Sequence, residues 1–370
     1  MKSIAIDVSA LAGFDAVLDA RSPAEFAEDH VPGAESFPVL GNEERARVGT
    51  IYKQESPFAA KKLGAALVAR NIAGHIESSF RDKEKNWRPL VYCWRGGKRS
   101  GAFAHILREI GWDARTLEGG YKSYRRHVVE RLAALPRGYR FRVVHGVTGS
   151  GKSRLLASLR VAGAQVLDLE SLAAHRGSVL GGLPGLPQPS QKMFESLLLK
   201  ALLSLDPSKE VFVEGESRKI GQLQVPPALI ERMRMSECVR LETAAEARVA
   251  LLLDEYRHFF SDRPALDAQL DCLVGLHGRE KVGAWKALAA AAAWPELVAR
   301  LLAEHYDPAY LRSPPQNFPR LAGAESVRIV SASPAAFDAA ARELVERAGA
   351  ETAKDVAAPG QVKVAEGMPQ

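Results

Sequence analysis

The stretch Gly146-Val147-Thr148-Gly149-Ser150-Gly151-Lys152-Ser153 constrains this chain more than any other, because it satisfies every fixed position of the phosphate-cradling pattern G-x-x-x-x-G-K-[ST]. The apolar run Phe141 to His145 ahead of it reads as a buried strand, and Ser153 to Val161 carries apolar residues at helical spacing. Strand, loop and helix in that order are the context the pattern requires. Glycines let the backbone curl so that successive N–H groups and the helix N-terminus face an anion, Lys152 adds a point charge, and Ser153 can hold a magnesium ion. The reading predicts phosphate or diphosphate contacts from Gly146, Thr148, Gly149, Ser150, Gly151, Lys152 and Ser153. The alternative is a glycine-rich turn with no ligand, and the loop alone does not say that its ligand is ATP.

At 370 residues, 46% of them hydrophobic, the chain is too long for one ordinary core and has material for two. We expect domains over 1–135 and 136–348, joined at Pro136-Arg137-Gly138, and a disordered tail over 349–370, where small, charged and proline residues lose all periodicity. The net charge of +6 permits an RNA partner without requiring one. Three cysteines at wide spacing, Cys93, Cys238 and Cys272, support neither a disulfide framework nor a cysteine zinc site, and suggest the cytosol. Met1 to Ala12 contains Asp7 and no long apolar run, and no segment is long enough to cross a bilayer, so neither a leader nor a membrane span is expected.

Taken in order, Ala16 to Ala20 reads as a strand and Ser22-Pro23 as the start of a helix, with Asp29 to Ala34 a turn. Leu90-Val91-Tyr92 is a buried strand that delivers Cys93 into the loop Cys93-Trp94-Arg95-Gly96-Gly97-Lys98-Arg99-Ser100, with a helix from Gly101 to Ile110. Ala114 to Leu117 is another strand, followed by Glu118-Gly119-Gly120-Tyr121 and a helix through Leu132. Alternating strands and helices imply a parallel, helix-covered sheet. A thiol at a strand end, facing loop N–H groups and a helix start beside Arg95, Lys98 and Arg99, is expected to be held partly as thiolate. The bland alternative is a buried, inert Cys93. Cys238 and Cys272 lack such surroundings and read as structural.

These residues resemble a known domain. Leu18 to Phe26 with His30 to Ala34 is similar to the first signature of a rhodanese domain, the Cys93 loop to its sulfur-carrying active loop, and Leu117 to Tyr121 to its closing signature. A rhodanese followed by a phosphate loop resembles the tRNA 2-selenouridine synthases. Further stretches agree: Gly49 to Gln54, Asp168 to Glu170 with His175 to Ser178, Glu216 to Gly221, and His305 to Tyr310. The resemblance runs from about Ala16 to about Leu344. It implies an α/β architecture, a rhodanese-like parallel-sheet domain followed by a P-loop NTPase-like domain with a helical C-terminal part.

For function, the resemblance implies a cytoplasmic transferase that modifies tRNA, replacing the sulfur of wobble 2-thiouridine by selenium in the tRNAs for lysine, glutamate and glutamine. The sulfur is first S-geranylated from geranyl diphosphate, and selenophosphate then supplies selenium. Cys93 would be catalytic, with a Cys93-bound selenium species as an intermediate, and Arg95, Gly96, Gly97, Lys98, Arg99 and Ser100 would bind selenophosphate. The diphosphate would sit on the 146–153 loop. No organic prosthetic group and no membrane are expected, and a selenophosphate-supplying enzyme is an expected partner. One departure is that five residues separate Cys93 from Arg99, where many rhodaneses have four. The longer loop also fits the C-x5-R-[ST] pattern of cysteine-dependent phosphatases.

Downstream, the strands Ala164 to Leu167 and Val211 to Val213 end in Asp168-Leu169-Glu170 and Glu214-Gly215-Glu216, where an open parallel sheet carries its ligands. Ser153, Asp168 and Glu214 are candidate magnesium contacts, although Asp168 and Glu214 read equally as solvated strand-end carboxylates. A glutamate stands where nucleotide hydrolases usually have aspartate. His175, Arg176, Ser178, Arg218 and Lys219 are candidate contacts to substrate or tRNA, or plain surface polarity. For tRNA, Lys122, Arg125, Arg126, Arg137, Arg140 and Arg142 form a basic run, and Trp94 or Tyr121 is a candidate support for a base turned out of its stack. The remainder is helical: Ala244 to Tyr256, then an alanine-rich helix from Trp285 to Leu302 broken or kinked near Pro295, with a last strand at Ser326 to Ser331 and a last helix at Pro334 to Ala348. His305, Tyr306, Asp307 and Tyr310 read as an active-site segment or as a capped helix end. Two other functions stay open: a sulfurtransferase or cysteine-dependent phosphatase fused to an ATP-dependent kinase-like domain, and a non-catalytic sensor.

Overall fold

The computed structural model describes residues 5–178, 180–215, 217–308 and 318–357. Glu216, Ala309 and Tyr310, quoted above, lie outside the described residues, as do 358–370. The first sheet is built from β1 (Ala5–Ile6), β2 (Ala16–Asp19), β3 (Glu35–Ser36), β4 (Pro89–Tyr92) and β5 (Arg115–Leu117), all parallel in the order β1-β5-β4-β2-β3. Between them run α1 (Pro23–Glu28), α2 (Asn42–Gln54), α3 (Pro57–Ser79) and α4 (Lys98–Ile110), and α5 (Gly120–Ala134) follows β5. Every residue of the interior strand β4 is buried, as expected of a strand covered on both faces. Its side chains alternate: Val91 and Cys93 pack with Phe103 and Leu107 of α4, whereas Leu90 and Tyr92 pack with Tyr121, Tyr124 and Val128 of α5.

The second sheet, again all parallel, has β6 (Arg140–His145) in the centre, with β11 (Glu237–Thr243) and then β12 (Glu325–Ile329) on one side and β8 (Glu210–Glu214) and then β7 (Gln165–Leu167) on the other. It is completed by α6 (Lys152–Val161), β7 (Gln165–Leu167), α7 (Leu169–Leu172), α8 (Gln191–Leu203), β8 (Glu210–Glu214), a small β9–β10 hairpin (Lys219–Ile220, Leu223–Gln224), α9 (Pro227–Arg234), β11 (Glu237–Thr243) and α10 (Ala245–Glu255). Helices α11 (Arg263–Asp271), α12 (Val274–His277), α13 (Arg279–Ala290) and α14 (Trp294–Leu301) precede β12 (Glu325–Ile329) and a C-terminal helix, Pro334–Ala357. The architecture is α/β. Among the described residues, no helix is long and apolar enough to cross a membrane.

One apolar cluster runs through both sheets, from Leu90 and Leu117 through Tyr124, Val128 and Leu132 to Phe141, Val143, Leu198 and Val213. Helix α5 carries it, packing on α8 and α9. The Pro136 joint is a 3-10 turn, Leu135–Gly138, with Pro136 buried, and the next residue, Tyr139, donates its hydroxyl to the Leu202 carbonyl at 2.6 Å. At the same seam Lys192 pairs with Glu28 at 2.6 Å, and Arg125 pairs with Glu195.

Several elements differ from the sequence reading. Helices α2 and α3 were not legible, because α2 buries no residue and α3, rich in alanine and glycine, buries only Ala60, Leu67 and Ile72, too sparse a stripe to register. Helix α4 begins at Lys98 rather than Gly101, so Lys98, Arg99 and Ser100 form its first turn. The alanine-rich segment is fully broken: α13 ends at Ala290 and α14 restarts at Trp294 with Pro295 in its first turn, where a missing N–H costs nothing. The last helix passes Ala348 and continues to Ala357, in keeping with the helix-forming Glu351 and Lys354 and the alanines among them.

Buried Arg21 fixes the turn after β2. Its guanidinium donates to Asp19 at 2.6 Å and to the Asp29 carbonyl at 2.6 Å, and it lies 3.9 Å from the centroid of the Tyr121 ring. Arg21→Met strands the Asp19 carboxylate in the core, and we expect a loss of about 3–5 kcal/mol in urea-induced unfolding; a loss below about 1 kcal/mol would contradict this account of the pair.

Candidate active site with two anion cradles

The first cradle joins β4 to α4. Cys93 is 3% exposed, and its Sγ lies 3.1 Å from the Ser100 Oγ. Burial alone would push the thiol up, but the Ser100 hydroxyl and backbone N–H, the Arg99 charge and the Gly97 N–H together hold it below the ordinary thiol range. The expectation of a thiolate-prone cysteine therefore has a geometric cause. The loop is backed by the turn into α5: Tyr121 and Lys122 donate backbone N–H groups to the Cys93 and Trp94 carbonyls at 2.8 and 3.0 Å. At Gly120, with φ +59°, a Cβ would stand 2.2 Å from the Cys93 carbonyl oxygen, so this closing glycine permits the contact.

The loop's cations are not equivalent. Arg95 and Lys98 are exposed, whereas Arg99 is held by Glu25 at 3.0 Å, which also takes Arg45 of α2 at 3.1 Å. Burial would raise the Glu25 carboxyl, but Arg99, Ser22 and Arg45 keep it below the usual carboxylate range. Glu25 thus orients the arginine nearest the thiolate. Sequence reasoning missed Glu25 and Arg45 in this role, although Glu25 stands in the quoted first signature. Of the aromatic candidates, Trp94 is 37% exposed, but Tyr121 is buried with its hydroxyl on Asp29 at 2.7 Å, so Tyr121 is no platform for an extruded base.

The second cradle joins β6 to α6. Gly149 and Gly151 have φ of +76° and +84°, and a Cβ there would meet Leu252 of α10 at 2.8 Å and Phe337 of the C-terminal helix at 2.5 Å. Alternate carbonyls of the loop accept side-chain hydrogen bonds. Lys152 Nζ donates to Gly146 O at 3.1 Å, Arg248 donates Nε and a terminal nitrogen to Thr148 O at 3.0 and 2.8 Å, and Thr243 Oγ1 donates to Ser150 O at 2.7 Å. Arg248 is fixed in turn by Asp307 at 2.6 Å. The Asp307 segment therefore holds the loop. Neither Arg248 nor Thr243 was singled out in the sequence; a lone arginine among the apolar residues of α10 was the available signal.

Around the second cradle, Ser153 Oγ donates to Glu170 at 2.9 Å, and the Glu170 N–H donates to Glu214 at 2.6 Å. Burial first, then Asp168 and Glu170, raise the Glu214 carboxyl well above its ordinary range, and its second oxygen is buried without a partner. Asp168 is engaged as the cap of α7, accepting from Ser171 N–H at 2.8 Å. Among the described residues no cluster of three or more His, Cys, Asp or Glu side chains is arranged for a metal.

Arg176 donates to the Glu255 carbonyl and lies 5.0 Å from the Tyr256 ring centroid, and Ser178 Oγ is 3.3 Å from the Tyr256 hydroxyl. His175 Nδ1 accepts from the Gly177 N–H at 3.1 Å. The turn thus reaches the end of α10 beside the phosphate loop, while Arg218 and Lys219 are exposed at the β9–β10 hairpin. Of the basic run, Arg142 is buried on Glu210 at 2.9 Å and Arg125 is taken by Glu195, so neither is a free RNA contact; Lys122, Arg126, Arg137 and Arg140 are exposed.

Comparison with known proteins assigns a family to each half of the chain. Residues 7–127 match the rhodanese-like domain, and residues 139–267 match the tRNA 2-selenouridine synthase AAA domain. The tRNA 2-selenouridine synthase of Bdellovibrio bacteriovorus is 34% identical over 261 residues, covering 69% of this chain and 68% of that protein. The chain belongs to the tRNA 2-selenouridine synthase family. Its counterpart from Nitrosomonas europaea is 38% identical over 65% of this chain and 63% of its own length, and that from Shewanella halifaxensis 39% over 65% and 66%. The chain thus spans just under two thirds of these two relatives.

Ser100→Ala removes a hydrogen bond that favours the charged sulfur, so the pH midpoint for Cys93 alkylation by iodoacetamide, followed by peptide mass spectrometry, is expected to move up. An unchanged or lower midpoint would contradict it.

Proposed function

We propose that the protein is a transferase that converts wobble 2-thiouridine of tRNA into 2-selenouridine through an S-geranyl intermediate, taking geranyl diphosphate and selenophosphate as co-substrates. The acceptors are the tRNAs for lysine, glutamate and glutamine, the setting is the cytosol, and a selenophosphate-supplying enzyme works beside it. The observation that carries the reading is an apolar crevice directly beside the phosphate loop. Thr148 adjoins Leu252, Tyr256, Phe259, Trp294, Leu301 and Tyr306 there. A prenyl chain fits such walls, whereas a ribose would strand its hydroxyls. The free volume of about 60 Å³ is smaller than a ten-carbon chain, so the wall side chains must move outward to admit it.

In the first step the thiocarbonyl sulfur attacks C1 of the geranyl group, the C1–O bond breaks, and diphosphate leaves with the electron pair as the base loses its N3 proton to solvent. The residues of the 146–153 loop hold the leaving diphosphate, with Arg176 within reach of its outer charge, so catalysis is positioning and charge stabilisation. A magnesium ion bound with the diphosphate would be held by Ser153 and Glu170 and would neutralise charge on the leaving group. The glutamate at the end of β8, where nucleotide hydrolases usually carry aspartate, weighs against the kinase-like alternative.

In the second step the Cys93 loop takes selenophosphate, with Arg95, Lys98 and Arg99 on its phosphate oxygens and the Gly96 and Gly97 backbone around it. The Cys93 thiolate attacks phosphorus and the P–Se bond breaks, releasing hydroselenide. The selenide adds to C2 of the alkylated base, the C2–S bond breaks, and geranylthiol leaves. Water then hydrolyses the S–P bond, returning Cys93 and phosphate, with Ser100 stabilising the departing thiolate. The five-residue spacing and the Ser100 contact favour this phosphoryl transfer over a selenium-loaded sulfur, which would need a redox partner.

Nucleoside mass spectrometry on a 2-thiouridine anticodon stem-loop tests the reading. With geranyl diphosphate alone the wild type is expected to add a geranyl mass, and with selenophosphate to exchange sulfur for selenium. Cys93→Ala is expected to lose selenation by more than about 10²-fold while keeping geranylation within about twofold. No geranyl gain in the wild type, with ATP consumed instead, would overturn the proposal in favour of the kinase-like reading.

A further inference from the structure

The central strand β6 also ends on a second cavity that the chemistry above does not use. It has a volume of about 540 Å³ and is lined by His145, Gly146 and Val147, the ends of β11 and β12, and Leu321. The chain leaves β6 toward β7 on one side of the sheet and leaves β11 toward β12 on the other. The crevice between the ends of β6 and β11 is therefore the topological switch point, where open parallel sheets take their ligands. Thr148 faces the apolar crevice while Gly146 and Val147 face this cavity, so the phosphate loop is flanked by two compartments.

The lining offers a neutral hydrogen-bonding ring and apolar surface, which suit a flat heterocycle. His145 is 5% exposed, and its Nε2 is buried without a partner. Phe318 sets the ring edge-on at a centroid distance of 4.3 Å, and a Cβ on Gly215 would stand 2.5 Å from its Nδ1. Burial, then Lys152 and Arg240, push the imidazole down to about 4, so it stays neutral and pairs with no anion. Of the cavity's charged groups, Arg240 donates to Leu321 O at 2.6 Å, and Arg328 meets Glu242 at 3.4 Å. Leu321, Ile329 and Val330 supply apolar surface for a ring face. A volume of this size accommodates a nucleoside.

We propose that this cavity receives the extruded 2-thiouracil base of the RNA, with its polar edge on His145 and its sulfur turned toward the phosphate loop. This rests on the reading of the protein as a tRNA-modifying transferase. A base from a free nucleotide offers the same chemistry, so the test separates the two sources.

An anticodon stem-loop carrying photoreactive 4-thiouridine at the wobble position is irradiated on the full-length protein, and 8-azido-ATP is irradiated in parallel. The expected result is RNA attachment to peptides within 237–248 or 318–330. Val330 is 80% exposed, so Val330→Trp narrows the mouth without touching the core. This variant is expected to cut crosslinking and stem-loop affinity about tenfold while leaving geranyl diphosphate binding unchanged, and His145→Phe is expected to remove the preference for 2-thiouridine over a ribose abasic site. Attachment confined to the Cys93 loop overturns the proposal, as does labelling of these peptides by the azido nucleotide alone. Crosslinking without geranylation in the wild type would count against the transferase reading while still supporting the base site.

Discussion

An anion can be held by backbone N–H groups only where no Cβ stands between it and the chain, and that constraint organises both halves of this protein. In each half a buried central strand, β4 or β6, ends in a glycine-built turn that feeds directly into a helix. The turns are held open by different means. The Cys93 loop is backed by the Gly119–Tyr121 turn, whose glycine allows a carbonyl to approach where a side chain would clash. The phosphate loop has alternate carbonyls occupied by hydrogen bonds from Lys152, Arg248 and Thr243.

The two cradles differ in what stands beside them, and this is where their chemistry separates. Cys93 has a hydroxyl at 3.1 Å and an arginine oriented by a carboxylate, an arrangement that favours a charged sulfur and to which the proposal assigns a tetrahedral anion. The phosphate loop has an aromatic-lined crevice on one flank and a cavity lined by His145, Arg240 and Thr243 among apolar residues on the other, which is why the proposal seats an apolar donor in the first and a flat acceptor in the second. The helix α5 that leaves the first cradle also carries the apolar cluster shared with the second sheet, so the two sites are mounted on a common core.

Much of this was legible in the sequence for a physical reason: cradles need glycine, a fixed cation and a hydroxyl at fixed offsets, so their signatures are local. The strands β4 and β6, the thiol at its strand end and the capped start of α1 could all be read this way. What could not be read depends on distant pairs. Glu25 on Arg99 spans 74 residues and Arg248 on Thr148 spans 100, and neither spacing leaves a pattern. Arg125 and Arg142 looked like RNA contacts because a charge count is blind to Glu195 and Glu210. Helix α2 escaped because it buries nothing, and Tyr121 was misjudged because its burial comes from Arg21 and Asp29.

The central claim is that one cradle alkylates and the other delivers selenium. The most direct measurement supplies Lys152→Ala protein with a stem-loop already carrying S-geranyl-2-thiouridine, adds selenophosphate, and follows selenouridine by mass spectrometry. The account predicts selenation within about twofold of the wild-type rate, although the same variant starting from 2-thiouridine should be slowed by about 10²-fold or more for want of the first step. Equal failure on both substrates would contradict the division and mean that the phosphate loop serves the selenium step as well.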